Sequence, residues 1–210
     1  FEYEKEIEKK RKNYNELDNG WNLALASSFT LTQTSYERWA AGGSDVLLWT
    51  AGMDGSAIYD TLDLNWVNEL NILFGNSKQN GNSTRKTEDI LDVETVITLK
   101  ENRFLNPYVS LNFRTQMAPG YKYDEEGRIE ISNFMDPGYL INGMGIGYSP
   151  RKTFRTRIGM AARTIFTDEH QNFANGSSIY FSSGMQWVTH AERTFWEKIR
   201  MKSRLNLFSP

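Results

Sequence analysis

The stretch FLNPYVSLNFRTQM, residues 104 to 117, decides the reading of the fold. In an extended chain Leu105, Val109, Leu111, Phe113 and Met117 fall on one side, and Tyr108, Ser110, Asn112, Arg114 and Gln116 on the other. A period of two marks a strand between two different environments. Residues 153 to 166 repeat the pattern with more charge: Phe154, Ile158, Met160, Ala162 and Phe166 oppose Arg155, Arg157 and Arg163. That polar set is too charged for a packed core. The apolar faces are therefore assigned to lipid and the charged faces to the lumen of a membrane barrel.

Extending the alternation outward predicts strands at Trp21 to Tyr36, Asp45 to Tyr59, Leu62 to Gly75, Thr87 to Lys100 and Phe104 to Met117. Four more are predicted at Tyr139 to Tyr148, Thr153 to Phe166, Ser178 to His190 and Thr194 to Leu207. Connections after odd strands are long and polar (Glu37 to Ser44, Asn76 to Lys86, Ala118 to Gly138, Thr167 to Ser177). Those after even strands are tight (Asp60-Thr61, Glu101 to Arg103, Ser149 to Lys152, Ala191 to Arg193). Outer-membrane barrels sort their connections in this way, with short periplasmic turns and longer extracellular loops. The predicted strands also exceed the roughly five or six residues usual in globular sheets. Aromatic residues near strand ends predict two interfacial girdles: Trp21, Tyr59, Trp66, Tyr148, Phe154 and Trp187 on the turn side, and Tyr36, Trp39, Phe74, Tyr139 and Phe166 on the loop side.

Composition fits. A mean hydropathy of -0.58 and 24% charged residues exclude helical membrane spans, and no run approaches the roughly 18 apolar residues that one needs. A barrel tolerates such values because half of its strand residues face water. The net charge of -2 makes no electrostatic case for nucleic acid. The absence of cysteine rules out disulfides and thiol chemistry and suits an oxidising envelope. Residues 1–20 contain the charged run EYEKEIEKKRKNYNELD, expected to be a helical, solvated periplasmic lead-in to a barrel over residues 21–210. No basic, apolar signal segment precedes it, as expected of a processed or trimmed exported chain. Single-chain bacterial barrels have an even number of strands. The nine predicted here lead us to expect closing strands beyond this sequence.

Several segments carry a family resemblance. SYERWAAGGSD (Ser35 to Asp45), WVNELNILFG (Trp66 to Gly75), KTED (Lys86 to Asp89) and NFRTQMAPGY (Asn112 to Tyr121) resemble an uncharacterised Bacteroidetes outer-membrane family, domain of unknown function 3078. ISNFMDPGYL (Ile131 to Leu140) and GIGYSP (Gly145 to Pro150) extend the likeness over nearly everything after Trp21. Met117 stands where a bulkier aromatic is expected. The resemblance implies a surface barrel of unknown activity and supplies no catalytic residues.

Function must then lie in the lumen and loops. Inward positions on the second to fourth strands are acidic: Asp54, Asp63, Glu69, Asp92 and Glu94. Those on the fifth, seventh and ninth are basic: Arg114, Arg155, Arg157, Arg163, Lys198, Arg200, Lys202 and Arg204. Opposed walls of opposite charge would set a transverse field across a pore for small polar solutes. Alternatively the charges pair across a narrow lumen and close it, leaving a scaffold. The loop Ala118 to Gly138 carries a predicted hairpin around Glu125-Glu126-Gly127-Arg128, which either constricts the mouth or projects outward. In Trp39 to Gly43 the glycines fit a close loop turn.

Other motifs carry little chemistry. Gly143, Gly145 and Gly147 alternate within a strand with no helix start behind them to hold a phosphate, and are expected to leave room inside the barrel. Ser182, His190 and Glu192 share a face, but Ser182 is roughly 25 Å from the others along an extended strand. Two histidines, His170 and His190, make a zinc site improbable. Asp124, Glu125 and Glu126 lack calcium-loop spacing. Asn82-Ser83-Thr84 and Asn175-Gly176-Ser177 read as surface loops. The expectation is an antiparallel, up-and-down transmembrane β-barrel of the bacterial outer membrane with a periplasmic N-terminus. It is expected to be non-enzymatic, to have no cofactor, and to have the bilayer and other envelope proteins as partners. Its role is a structural or accessory barrel, or a passive pore; a soluble lipocalin-like binding barrel would require the apolar faces to point inward.

Overall fold

The computed structural model describes residues 20–36, 43–80, 83–101, 105–124, 127–151, 154–168, 178–195 and 199–210. Among them every regular element is a strand. The order is β1 (Gly20–Thr34), β2 (Val46–Asp60), β3 (Leu64–Gln79), β4 (Arg85–Leu99), β5 (Asn106–Thr115), β6 (Gly120–Asp124), β7 (Gly127–Ser132), β8 (Gly138–Arg151), β9 (Phe154–Phe166), β10 (Ile179–Phe195) and β11 (Ile199–Ser209). Nine of them form one antiparallel sheet in the order β1-β2-β3-β4-β5-β8-β9-β10-β11, and β6 and β7 pair as a separate hairpin between β5 and β8. Each strand of the large sheet follows the previous one in sequence apart from that insertion. The charged lead-in before Gly20, the WAAGG turn and the Glu125-Glu126 tip lie outside the described residues, as do His170, Asn82 and Asn175.

Three boundaries differ most from the sequence reading, one of them at β8, which runs on to Arg151 through residues expected as a turn. The β3/β4 ladder continues past Gly75 through a bulge at Gly75/Asn76, so the expected loop at 76–86 shrinks to the segment after Gln79. Asn80 turns the chain there at φ 49°, an angle asparagine tolerates better than most residues. Its N–H donates to Asp45 O at 2.7 Å, and its Oδ1 accepts from the Asp45 N–H at 2.8 Å. At the other end β10 runs on to Phe195, so Ala191 to Arg193, expected as a turn, pair with β11.

The sheet is curled around an interior. In the sheet order β11 is five places from β4, which in a flat sheet is about 24 Å at ~4.8 Å per strand. Yet Arg204 Nη2 on β11 donates to Glu94 Oε2 on β4 at 2.7 Å. Strands β1 and β11 are the two edges of the sheet and are not bonded to each other among the described residues, so a seam stays open.

The apolar set lies outside. Val109, Met144, Met160 and Met185 are cross-strand neighbours along β5, β8, β9 and β10, and are 50%, 57%, 68% and 57% exposed. Ile146, Ile158, Trp187 and Leu207 form a second such row and are likewise exposed. A lipocalin-like barrel would have these faces turned in. Few side chains are buried, among them Tyr108, Ala161, Val188 and Gln186 on the inner face.

Aromatic rings gather at two levels of the outer face. Trp21 lies 5.3 Å from Tyr59 and 5.4 Å from Trp66 at the turn end, while Trp49 lies 6.4 Å from Phe29 and 5.8 Å from Phe74 towards the loops. Phe29 and Trp49 were not among the expected girdle residues, because they stand inside their strands rather than near the ends. Tyr139, expected on the loop-side girdle, is instead in register with Arg114 and Ile165 on the inner face. Two of the outward indoles are satisfied locally: Trp66 Nε1 donates to Thr95 Oγ1 at 2.8 Å and Trp187 Nε1 to Thr156 Oγ1 at 2.9 Å.

Candidate functional site: the charged interior

Antiparallel register stacks the inward residues in rows across β2 to β5. The first is Asp54, Asn71, Asp92 and Arg114; the next is Ser56, Glu69, Glu94 and Asn112; then come Ile58, Val67, Val96 and Ser110; the last is Asp60, Asn65, Thr98 and Tyr108. The interior therefore passes from charged to apolar and back to polar towards the turn end.

In the first row Asn71 Nδ2 donates to Asp54 Oδ1 at 2.7 Å, and Asn112 Nδ2 reaches Asp92 Oδ1 at 2.6 Å. Arg114 pairs with Asp92 through both Nη2 and Nε, the latter at 3.0 Å. In the next row Glu94 is the junction of the two walls. One of its oxygens accepts from Arg157 of β9 and the other from Arg204 of β11. A carboxylate with four lone-pair sites can hold two guanidinium groups at once. Neighbouring Glu69 is in register with Glu94 and has no such partner among the described residues.

Carboxylates of β4 thus meet guanidinium groups of β5, β9 and β11 in the interior, and at Glu94 the two sets are directly paired. The structure brings together Glu94, Arg157 and Arg204, and separately Asp92 and Arg114. Arg163 stands apart, with its guanidinium 5.0 Å from the Phe208 ring. Asp63 is not on a wall: it is exposed in the turn between β2 and β3, where its carbonyl accepts from the Lys100 N–H at 2.8 Å. Its parity matched Glu69, but the strand starts one residue later. Arg200 and Lys202 take β11 positions opposite Thr194 and Glu192, and Lys198 lies outside the described residues. Ser182 pairs with Arg163 and His190 with Arg155, eight residues apart on one strand, so this pair does not meet.

Two cavities flank the Glu94 junction. The first, about 510 Å³, is lined from β1 to β5 and by Arg204 and includes Asp54, Glu69 and Asp92. The second, about 490 Å³, lies towards the turns, with Val67, Val96, Tyr108, Arg155, Arg157 and Val188 on its walls. Glu69 and Glu94 border both. The glycines of 143–147 serve this packing: Gly145 faces Gly159 across β8 and β9, and a Cβ on Gly145 would sit 2.2 Å from the Ile158 carbonyl oxygen. Only glycine allows so close an approach of two backbones.

Sequence reasoning missed a second constellation, at the root of the long loop. Lys86 Nζ donates to Asp89 Oδ2 at 2.7 Å, Gln116 Oε1 at 3.0 Å and Ala118 O at 2.7 Å. Asp89, with a side chain 2% exposed, also accepts the N–H groups of Met117 and Ala118 at 2.8 and 3.0 Å. Ser132 Oγ reaches Gln116 Oε1 at 2.6 Å, and Thr115 Oγ1 accepts the Met135 N–H at 3.0 Å. Thr167 Oγ1 donates to the buried Asp136 at 2.5 Å. Arg85 covers Tyr123 of β6 at 4.5 Å. The hairpin predicted for this loop is present, clamped to the loop end of β4, and none of its described residues lines either cavity. The only advance signal was that KTED, FRTQ and ISNFMDPG stood out as motifs.

No curated protein and no solved structure matches the chain. Residues 31–121 match the model of a family described as protein of unknown function (DUF3078). That stretch holds the WAAGG, WVNELNILFG, KTED and NFRTQMAPGY segments, while ISNFMDPGYL and GIGYSP fall beyond it, and over it the chain is similar to that family.

Proposed function

We propose that this chain is a non-enzymatic β-barrel protein of the bacterial outer membrane, related to DUF3078, whose model it matches over residues 31–121. In this reading it is a structural or accessory barrel of an envelope assembly, with the N-terminus in the periplasm and the long loops outside. The observation that carries the scaffold role is Glu94, which ties β4 to both β9 and β11 across the lumen. A membrane setting is supported by the rows of exposed apolar residues, far more contiguous than a soluble monomer presents. The two aromatic levels add to it. Trp21 to Phe29 spans eight residues, about 26 Å along a strand; at a tilt of ~40° that is about 20 Å along the normal, close to the ~25 Å apolar band of such barrels.

The test is fractionation of the full-length protein expressed with its native signal, gel migration with and without boiling, and planar-bilayer recording. Outer-membrane enrichment, heat-dependent mobility and no unitary currents are expected. Regular single-channel steps would replace the scaffold by a passive pore. A soluble protein with unchanged mobility would overturn the membrane reading and move attention to a ligand-binding soluble barrel.

A further inference from the structure

The interior departs from its own chemistry at the turn end. Val67, Val96 and Val188 face inward there beside the 490 Å³ cavity, and Val188 is 1% exposed. Where a lumen is otherwise lined with carboxylates and guanidinium groups, an apolar patch around an open volume is suited to an apolar body. The volume lies within the roughly 300 to 1,000 Å³ typical of small-molecule sites.

Two buried polar groups at this cavity lack a hydrogen-bond partner among the described residues. Tyr108, 4% exposed, has a buried hydroxyl with no partner. Arg157 gives Nη2 to Glu94, but its Nε is buried without an acceptor. Its guanidinium carbon lies 5.6 Å from the Tyr108 ring centre, so the two unmet groups are close together. Arg155 lines the same cavity and makes no ion pair among the described residues. It is in register with His190, which is itself opposite Arg204 on the other side. Native proteins rarely leave buried polar atoms unsatisfied without reason. Each of these groups can donate, while of the carboxylates lining the cavity Glu94 is held by Arg157 and Arg204, Asp60 by Lys100, and Glu69 lies at the border with the other cavity.

We propose that the turn-end cavity binds a small organic carboxylate, its apolar body against Val67, Val96 and Val188 and its carboxylate on Tyr108 Oη, Arg157 Nε and Arg155. The site depends on the curled interior alone and holds whether or not the sheet spans a bilayer. Its failure and that of the membrane reading are therefore separate results.

The experiment uses full-length protein purified from whichever fraction contains it. The probe is 4-fluorobenzoate, followed by fluorine NMR line broadening, with the same detergent micelles as reference and 4-fluorobenzamide as the neutral control. Saturable broadening is expected for the acid and not for the amide. Arg155→Ala should weaken it about tenfold, the loss of one charge-assisted hydrogen bond. Tyr108→Phe should weaken it about fivefold while leaving the ligand-free protein at least as stable, since it removes an unmet hydroxyl. No broadening beyond micelles, equal binding of the amide, or unchanged binding in both variants would overturn the proposal.

Discussion

The root of the long loop and the inner wall of the curled sheet satisfy their polar groups to different degrees. At the loop end Lys86, Asp89, Gln116 and Ser132 interlock, and the Asp89 carboxylate alone accepts one ammonium and two backbone N–H groups. At the turn-end cavity Lys100 is paired with Asp60, but Tyr108 Oη and Arg157 Nε have no partner among the described residues, and neither have Arg163 Nε and Ser182 Oγ further along the inner wall. An unmet buried donor costs about 1–3 kcal/mol, so the inner wall forgoes stability that the loop root collects. The contrast teaches that this scaffold is over-determined where it holds a loop and under-determined where it encloses space. Glu94 is the point at which the inner wall is joined across the interior.

Removing that junction should have the largest effect. Glu94→Ala leaves Arg157 and Arg204 facing each other without their shared counter-charge, and a loss of about 3–5 kcal/mol is expected. The midpoint of urea unfolding in lipid vesicles would report it. A midpoint equal to wild type would mean that the walls are held by the strand ladder alone. Next comes Asp89→Ala, with an expected local loss of about 2–3 kcal/mol from three stranded donors. Limited proteolysis should then cut the 116–137 segment faster while peptides from β9 and β10 stay protected. If the loop keeps its resistance, the loop end is not held by this network and the comparison fails. The smallest of the three is Gly145→Ala. Its methyl meets the Ile158 carbonyl at 2.2 Å, and parting the two strands should cost about 1–3 kcal/mol. Amide exchange would sharpen the comparison if it quickened along β8 and β9 and left the loop root unchanged.

Most of the fold was legible because each long strand of the sheet repeats one signal for ten or more residues. The alternation at 104–117 and 153–166 placed β5 and β9 within two residues of their observed limits, and parity alone put Glu94, Arg157 and Arg204 on the same face. Their meeting at one carboxylate was not legible, since it depends on how tightly the sheet curls, which no single strand encodes. Asp63 misled for the opposite reason: parity assigns a face but not the point where a strand begins. The inward valines were open to the same parity argument, yet the charged residues around them drew the attention. The loop root was hidden because its bonds join segments up to about thirty residues apart through side chains that look like ordinary surface polar residues.

Direction along the sheet has one further consequence. With antiparallel neighbours throughout, an odd number of strands makes the first and the last run the same way, and in this sheet both β1 and β11 travel from the turn end to the loop end. Two such edges cannot join in the antiparallel ladder used everywhere else. Only an odd number of further strands could bridge the two edges in that ladder. The arithmetic of the seam thus sets the direction of any strand that pairs with either edge in this ladder: it must run from the loop end to the turn end.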